Sequence, residues 1–332
     1  MITVLNQARI IKKMRNIIIS DFDETITRCD TIGTIAKLPY LLNPQLKPAW
    51  SHFTKNYMDG FRKYKYNGTR PLPLLSPNAP LIISPSNFDE LFKDELQYQN
   101  YNRTIELNSV NEVSKQQLFK SITLKQMKQF AKEQNHGNCL LRGGFNQFCS
   151  SVIKNFQDDF YILSINWSRE FIYEIIGNKE VNPDHVLCNG LKVSAEKSPP
   201  TYTGEFDCGL LTGSDKIKSL NEILGKIETH NNGNETCCYW YIGDSETDLL
   251  SVLHPSTNGV LLIDPVENPS KFLKITEQII GLPSDKITKF QTDNALGWLK
   301  FCEKENGNFA YLAKSWDSLR DLIVETSNSR CQ

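Results

Sequence analysis

The sequence predicts an α/β protein with a Rossmann-like core of parallel strands, helices on both faces of the sheet, and a mostly helical insertion. An apolar strand pattern near the start of the chain breaks into acid, in "NIIISDFDETITRCD" at residues 16–30. After about residue 140, strand-like and helix-like runs alternate, which is typical of a parallel sheet. Between these regions lies a long stretch of helical patterns, which indicates an insertion.

The first predicted strand covers the apolar run Ile17–Ile19 and ends at Ser20. Asp21 and Asp23 follow it on either side of Phe22. In open α/β sheets, ligands bind beyond the carboxyl ends of the strands. The sequence therefore places both carboxylates where a ligand would bind.

The insertion follows directly, and its residue pattern differs from that of the rest of the chain. Aromatic residues recur at helical spacing over residues 34–66, which favours a core of the insertion's own over a ligand site. Residues 71–87 hold five prolines and are expected to lack regular structure. A further helix is predicted in "FKSITLKQMKQFAKEQ". We therefore assign residues 31–139 to a helical cap domain and residues 1–30 and 140–332 to the α/β core domain.

The core resumes with a regular alternation of elements. The predicted helices are "CLLRGGFNQFCSSVIKNF", "WSREFIYEIIG", "SDKIKSLNEILG" and "SETDLLSVL". The predicted strands are "DDFYILSIN", "DHVLCNGLKV", "TCCYWYIGD" and "GVLLID", the second of them entering a hairpin. Ser214 is the expected N-cap of the third helix and Gly225 its expected end.

Composition and charge limit the classes of partner. Charged residues make up 23% of the chain and hydrophobic residues 39%, as in ordinary globular proteins. The formal net charge of -1 gives no electrostatic reason to expect nucleic acid or an anionic membrane as a partner. No apolar run is long enough to cross a bilayer.

Cysteine usage and the amino terminus bear on the compartment. The nine cysteines form no CxxC pair, and their odd number favours reduced thiols and a cytoplasmic location. A basic segment without acid opens the chain over residues 1–15. It lacks the serines of a mitochondrial presequence, so we favour an ordinary lead-in to the first strand.

A second acidic cluster, Asp244, Glu246 and Asp248, follows a strand in "YIGDSETD". Carboxylates that converge from separate strand ends repel one another unless a cation neutralises them, and we find no basic cluster nearby in the sequence. A hard, oxygen-preferring divalent ion meets this need, and we expect Mg²⁺.

With both clusters identified, the chain resembles the haloacid dehalogenase superfamily of phosphohydrolases. Four of its motifs occur in order: the Asp-x-Asp-x-Thr of residues 21–25, a strand that ends at Ser164, the helical Lys216, and the Gly-Asp-x-x-x-Asp of residues 243–248. The resemblance covers residues 14–30 and 140–265. Within this superfamily the chain resembles the phosphoserine-phosphatase-like branch, through the segments "LLRGGFNQF", "LCNGLKV" and "TGSDK". The cap of that branch follows the first motif, as the insertion does here. Within the branch, the sequence looks most similar to fungal members.

The resemblance implies a role for each motif. Asp21 would be the nucleophile that forms an aspartyl-phosphate, and Asp23 the general acid and then base. Ser164 and Lys216 would bind phosphoryl oxygens. Mg²⁺ would be held by Asp21, the main-chain carbonyl of Asp23, and Asp244. Asp248 is a further candidate for the metal site, but we favour a role in positioning Lys216 or a metal-bound water over direct binding.

Several assignments keep alternatives. Ser164 could be a strand-end serine that satisfies a backbone group, and Lys218 or Lys192 could replace Lys216. Thr25, Asn166 and Trp167 complete the candidate substrate site. Thr25 is expected to fix the turn after Asp21 by bonding to the backbone. The Trp167 ring could stack on a flat substrate or simply pack in the core.

The sequence thus predicts a Mg²⁺-dependent phosphomonoesterase that acts on a small soluble phosphorylated metabolite. Two alternatives remain, a catalytically weak relative with a binding or regulatory role and a phosphomutase. A carboxylate at Asp23 argues against carbon–halogen cleavage, because dehalogenases of the superfamily lack this second acid. Neither the substrate nor the oligomeric state can be read from the sequence.

Overall fold

The computed structural model describes residues 14–75, 82–177, 181–194, 198–230 and 236–331, and eight strands in these ranges form one sheet. The strands of this sheet are β1 Met14–Ser20, β2 Ile82–Ile83, β3 Phe160–Leu163, β4 Val186–Leu187, β7 Thr236–Gly243, β8 Asn258–Leu262, β9 Trp298–Lys304 and β10 Phe309–Ala313. Their order in space is β2-β9-β10-β8-β7-β1-β3-β4. Two further strands, β5 Gly190–Ser194 and β6 Thr201–Asp207, form a separate antiparallel hairpin.

The central sheet is mostly parallel, as the alternation of elements predicted. β1 lies between β7 and β3, and Ser20 is in register with Ile242 on one side and Ile162 on the other. Only β9 and β10 pair antiparallel in the described sheet. The carboxyl ends of β1, β3 and β7 therefore meet at one edge.

Fourteen α-helices lie in the described ranges. They are α1 Ile32–Ile35, α2 Lys37–Leu42, α3 Trp50–Lys63, α4 Phe88–Leu91, α5 Lys93–Lys115, α6 Leu124–Gln134, α7 Phe145–Val152, α8 Phe156–Asp159, α9 Arg169–Ile176, α10 Gly213–His230, α11 Leu249–Leu253, α12 Pro269–Leu273, α13 Ser284–Thr292 and α14 Trp316–Cys331. Local signals set several ends: the Ser168 hydroxyl accepts from the N–H of Phe171 at the start of α9, and Gly177, with φ +70°, ends it.

Both faces of the sheet are covered, which confirms the predicted fold class. Alternate residues of β1 enter two separate apolar clusters, because side chains alternate across a strand. Ile18 packs on one face with Phe22, and Ile17 and Ile19 pack on the other. All four are fully buried, which is typical of a central parallel strand.

The insertion is mostly helical, with α1–α6 in its described part. One detail differs from the prediction: Ile82–Ile83 forms β2, which pairs in parallel with the end of β9. The expectation that residues 71–87 lack regular structure is therefore wrong at these two positions. The domain boundaries at residues 31 and 139 stay a prediction.

The predicted ends of the third core helix are also wrong. α10 begins at Gly213, and Thr212 and Asp215 cap it: each side chain accepts from the other's N–H, at 3.4 and 3.1 Å. The helix continues through Gly225 to His230. A glycine inside a helix costs about 1 kcal/mol relative to alanine. Burying a residue such as Ile227 beyond it returns about 1.5–3 kcal/mol, so the helix does not stop.

The structure bears on the absence of membrane-spanning segments and on part of the amino-terminal segment. Among the described residues, no helix combines the length and the apolar character that a membrane span requires. Residues 1–13 of the basic amino-terminal segment lie outside the described residues.

A buried lysine fixes the loop between α11 and β8. Lys304, 2% exposed, ends β9. Its Nζ donates to the carbonyl oxygens of Val252, His254 and Thr257 at 2.5, 2.9 and 2.7 Å. Burial lowers the pKa of Lys304 to about 7, but the three carbonyls satisfy all three N–H groups of an ammonium.

We expect Lys304→Met to lower the free energy of unfolding by about 2–4 kcal/mol, because it leaves buried carbonyls without donors. Urea denaturation would measure the change. Lys300→Met, on the exposed part of the same strand, serves as the control and should cost less than about 1 kcal/mol. Similar losses in both variants would contradict the conclusion that Lys304 stabilises the loop between α11 and β8.

Candidate active site

The end of β1 places Asp21 at the edge of the sheet. Its N–H donates to the carbonyl of Ile242 on β7 at 2.8 Å, and its Oδ1 accepts from the N–H of Phe22 at 2.7 Å. The side chain is 8% exposed. Burial raises the pKa of Asp21 to about 8; Lys216 opposes this, and the neighbouring carboxylates add to it. Further positive charge close to this carboxylate would lower its pKa and favour the ionised form.

Lys216 connects the two acidic clusters. Its Nζ lies 3.1 Å from Asp21 Oδ2 and donates to Asp248 Oδ1 at 2.6 Å. Burial alone would lower the pKa of Lys216, but these two carboxylates raise it above its ordinary value. The other two candidate lysines have different surroundings: Lys218 is exposed, and Lys192 pairs with Glu205 on the hairpin. The structure therefore brings the predicted lysine, and neither alternative, to Asp21.

Asp248 is fully buried, and both of its carboxylate oxygens accept several hydrogen bonds. Oδ1 accepts from Lys216 and from the Tyr241 hydroxyl at 2.7 Å. Oδ2 accepts from the Ser245 hydroxyl at 2.7 Å and from the N–H groups of Ser245 and Asp244 at 3.1 and 3.3 Å. Burial would raise the pKa of Asp248, but Lys216 and the hydrogen bonds lower it below the ordinary value. Of the two predicted roles, this geometry favours positioning Lys216 over binding a metal.

Asp23 is held by residues from two other segments. Its Oδ1 accepts from the N–H and hydroxyl of Thr31 at 2.8 and 2.6 Å. Its Oδ2 accepts from Asn166 Nδ2 at 2.8 Å. Burial and the charge of Asp30 raise the pKa of Asp23 to about 6, against the effect of these hydrogen bonds. Asn166 and Thr31 thus both lie at Asp23; Asn166 was a candidate from the sequence, whereas Thr31 belongs to no motif.

The two residues beside Asn166 lie at the end of β3 but in different surroundings. The Ser164 hydroxyl, 1% exposed, accepts from the Asn166 N–H at 3.3 Å, as a strand-end serine would. Its role toward a phosphoryl group stays a prediction. The Trp167 ring is 5% exposed and contacts Trp50 and Phe206 edge-on. The structure therefore supports the core-packing alternative for Trp167.

Thr25 has a different partner from the one predicted. Its hydroxyl donates to Asp244 Oδ1 at 2.9 Å and so links the two strand ends. The turn after Asp21, where Glu24 has φ +56°, is fixed by Thr27 instead. The Thr27 hydroxyl accepts from the N–H of Glu24 at 3.1 Å and donates to the carbonyl of Cys29 at 2.8 Å.

Lys271, on α12, is a site residue that the sequence did not indicate. Its Nζ contacts Asp244 Oδ2 and lies 2.7 Å from Glu24 Oε2. The sequence shows no basic cluster near these acids, but the fold brings Lys216 and Lys271 to them from distant positions in the chain. The balance is still negative: four carboxylates, those of Asp21, Glu24, Asp244 and Asp248, face two ammonium groups.

The donor set suits a hard divalent cation. Carboxylate oxygens of Asp21, Asp244 and Asp248 lie within 4.8 Å of one another, and all three residues are buried. Oxygen ligands of this kind are those that Mg²⁺ prefers. Because Asp248 is already saturated by hydrogen bonds, Asp21 and Asp244 are the side chains that fit a metal best.

One face of α5 in the insertion lies against the site. Glu95, Gln99 and Arg103 follow at four-residue intervals, which places them on one side of the helix. Gln99 Oε1 accepts from the N–H of Gly213 at 3.2 Å, and Arg103 pairs with Asp215, both at the start of the helix that carries Lys216. Gly213 also lies against the backbone of Thr247: a Cβ atom at this position would be 2.8 Å from the Thr247 carbonyl oxygen and 3.0 Å from Gln99 Oε1, so the start of α10 requires glycine here.

An arginine extends this contact to the second acidic cluster. Arg70 bonds both oxygens of Glu95, at 2.7 and 2.9 Å, and Glu246 Oε2 at 3.1 Å. Glu95 is only 1% exposed. The insertion is thus tied by charge to the loop between Asp244 and Asp248.

Comparison with known proteins shows the family of the chain. It is 68% identical over 315 residues to Cold tolerance protein 1 of Saccharomyces cerevisiae, an alignment that covers 95% of this chain and 99% of the relative. The chain belongs to the Cold tolerance protein 1 family. A Schizosaccharomyces pombe protein described as a CTO1 family protein is 22% identical over 294 residues, 84% of this chain and 91% of that protein.

Two other comparisons of this Cold tolerance protein 1 family member, with protein-family models and with solved structures, identify no closer relationship. No protein-family model matches the chain. Among solved structures it is similar to a phosphoserine phosphohydrolase-like protein from Francisella tularensis, with 14% identity, a TM-score of 0.44 and coverage of 93% of this chain and 100% of the other.

We expect Arg70→Met to lower the free energy of unfolding by about 3–5 kcal/mol, because it leaves the buried charge of Glu95 without its cation. Urea denaturation would measure this loss. Arg62→Met removes an exposed pair with Asp59 in the same insertion and should cost less than about 1 kcal/mol. If the two variants lose the same stability, the Arg70–Glu95 pair does not anchor the insertion.

Proposed function

We propose that the protein is a Mg²⁺-dependent phosphomonoester hydrolase of the haloacid dehalogenase type, in the phosphoserine-phosphatase-like branch, acting on a small phosphorylated metabolite in the cytoplasm. The observation that carries this proposal is the buried grouping of Asp21, Lys216 and Asp248 beside Asp244. A nucleophile, a phosphate-binding cation and oxygen ligands for a metal meet there at the edge of a parallel sheet.

In the first step, Asp21 would attack phosphorus through a carboxylate oxygen. The bond from phosphorus to the ester oxygen breaks, and Asp23 protonates the departing alcohol. In the second step, Asp23 would take a proton from water, which attacks the aspartyl-phosphate and releases inorganic phosphate. Its pKa of about 6 lets Asp23 exchange a proton in both directions near neutral pH.

The remaining residues would orient and stabilise. Lys216, already fixed against Asp21 by Asp248, would bind phosphoryl oxygens and stabilise the charge that develops during transfer. Ser164 would donate its hydroxyl to the same group. Thr31 and Asn166 hold the carboxyl of Asp23, and so fix the direction from which it approaches the leaving group.

Asp21 and Asp244, with the main-chain carbonyl of Asp23, would hold Mg²⁺. When bound, the ion would offset the repulsion between the carboxylate of Asp21 and the phosphate. Thr25 would keep Asp244 turned toward Asp21, because its hydroxyl bonds the Asp244 oxygen from the β1 side. The near-neutral net charge of the chain supports a small substrate over nucleic acid or membrane.

We expect Asp21→Asn to lower the turnover of an aryl phosphate by roughly 10⁴-fold or more, because the nucleophile is lost while the shape is kept. A colorimetric assay with Mg²⁺ and with a chelator, followed by a panel of phosphorylated metabolites, would test this. Asp285→Asn, an exposed carboxylate on α13, is the control and should be active. No Mg²⁺-dependent turnover in the wild-type chain with any substrate would favour a binding or regulatory role instead.

Asp23 should control the dependence on leaving group and on pH. With Asp21 held ionised by bound Mg²⁺, the acid form of Asp23 is present below its pKa of about 6 and is lost as the pH rises through that value, so kcat/KM for alkyl phosphates in saturating Mg²⁺ should fall above about pH 6. We expect Asp23→Asn to abolish this limb and to slow alkyl phosphates by about 10²–10⁴-fold. Aryl phosphates should lose far less, since an aryl group departs without much protonation. Equal losses for both substrate classes would contradict the acid role.

A further inference from the structure

The two lysines of the site differ in how firmly they are held. Lys216 is 1% exposed and lies between two buried carboxylates. The side chain of Lys271 is 21% exposed and lies between one buried carboxylate, Asp244, and one at the rim, Glu24, whose side chain is 41% exposed. Both partners of Lys216 are thus buried, whereas Lys271 also pairs with a carboxylate at the rim, that of Glu24.

Lys271 contacts one of the two Asp244 oxygens that a metal could take. Thr25 already bonds Asp244 Oδ1, and the ammonium of Lys271 contacts Oδ2. A cation shared by Asp21 and Asp244 must take one of these oxygens. Since Lys271 carries the same sign of charge, it would oppose such a cation both by occupying the oxygen and by repulsion.

Resting on the function proposed above, we propose that Lys271 is a tethered competitor of the divalent cation and sets the metal affinity of the site. When the metal binds Asp244, Lys271 moves its ammonium to Glu24 alone. Glu24 therefore acts on the metal through Lys271, by giving the displaced ammonium a partner. Both residues are positioning residues and take no part in the bond changes of the reaction.

This arrangement predicts effects that a structural salt bridge would not produce. Lys271→Met should tighten metal binding, because the competing charge is gone. Lys271→Arg should restore weak binding, because the charge returns. Glu24→Gln should weaken binding in the wild-type chain, because Lys271 loses its second partner, but it should have little effect in the Lys271→Met background.

The experiment is a titration of the full chain with Mn²⁺, a probe for Mg²⁺, in which electron paramagnetic resonance reports the free ion. We expect Lys271→Met to bind Mn²⁺ about tenfold or more tightly than the wild type. Lys274→Met is the matched control, because Lys274 pairs with Glu246 at the surface, and it should leave the affinity unchanged. Asp244→Asn should abolish the binding, which assigns it to this site.

The outcomes separate this inference from the proposed function. Equal or weaker Mn²⁺ binding in Lys271→Met, with binding still lost in Asp244→Asn, would overturn the competitor role and leave the metal site standing. A Glu24→Gln effect of the same size with and without Lys271 would overturn the assigned role of Glu24. Binding that survives in Asp244→Asn, or no binding in any variant, would contradict the metal site itself. If Lys271→Met does not fold by circular dichroism, Lys271→Gln provides the same comparison.

Discussion

The buried contact of Lys216 with Asp21 and Asp248 is the constraint on which the rest of the site depends. Three ionisable side chains, each 8% exposed or less, must lie within hydrogen-bonding distance, because a buried charge without a partner costs several kcal/mol. They come from β1, from the start of α10 and from the loop after β7. The site can therefore form only when these three elements are in register.

Neighbouring residues hold that register. Asp21 donates its N–H to β7, and Tyr241 and Ser245 hold Asp248 from the same strand and its loop. A Cβ atom at Gly243 would lie 2.2 Å from Asp248, so the close approach of that carboxylate to the strand requires glycine. The insertion secures the third element, since α5 contacts Gly213 and Asp215 just before Lys216. The cap and the chemistry are thus coupled through α10.

The sequence was informative where local pattern and residue type determine the structure. The apolar runs of β1, β3, β7 and β8 and the acids that follow two of them lie where they were predicted, because strand period and strand-end position are local properties. Partners set by tertiary packing could not be predicted. Thr25 turned to Asp244, α10 passed through Gly225, and Lys271 reached the site from a five-residue helix that carries no motif.

The charge balance connects these findings to the proposed chemistry. With Asp21, Glu24, Asp244 and Asp248 ionised and both lysines charged, these ion-paired groups carry two net negative charges before Asp23 is counted, and burial disfavours ionisation of Asp21. A phosphate monoester brings further negative charge to the same point. Two ammonium groups cannot offset both, and one of them is tied to Asp248. The proposed reaction therefore requires a cation that neutralises Asp21 and substrate together, and Asp244 is the ligand that such a cation would share with Asp21.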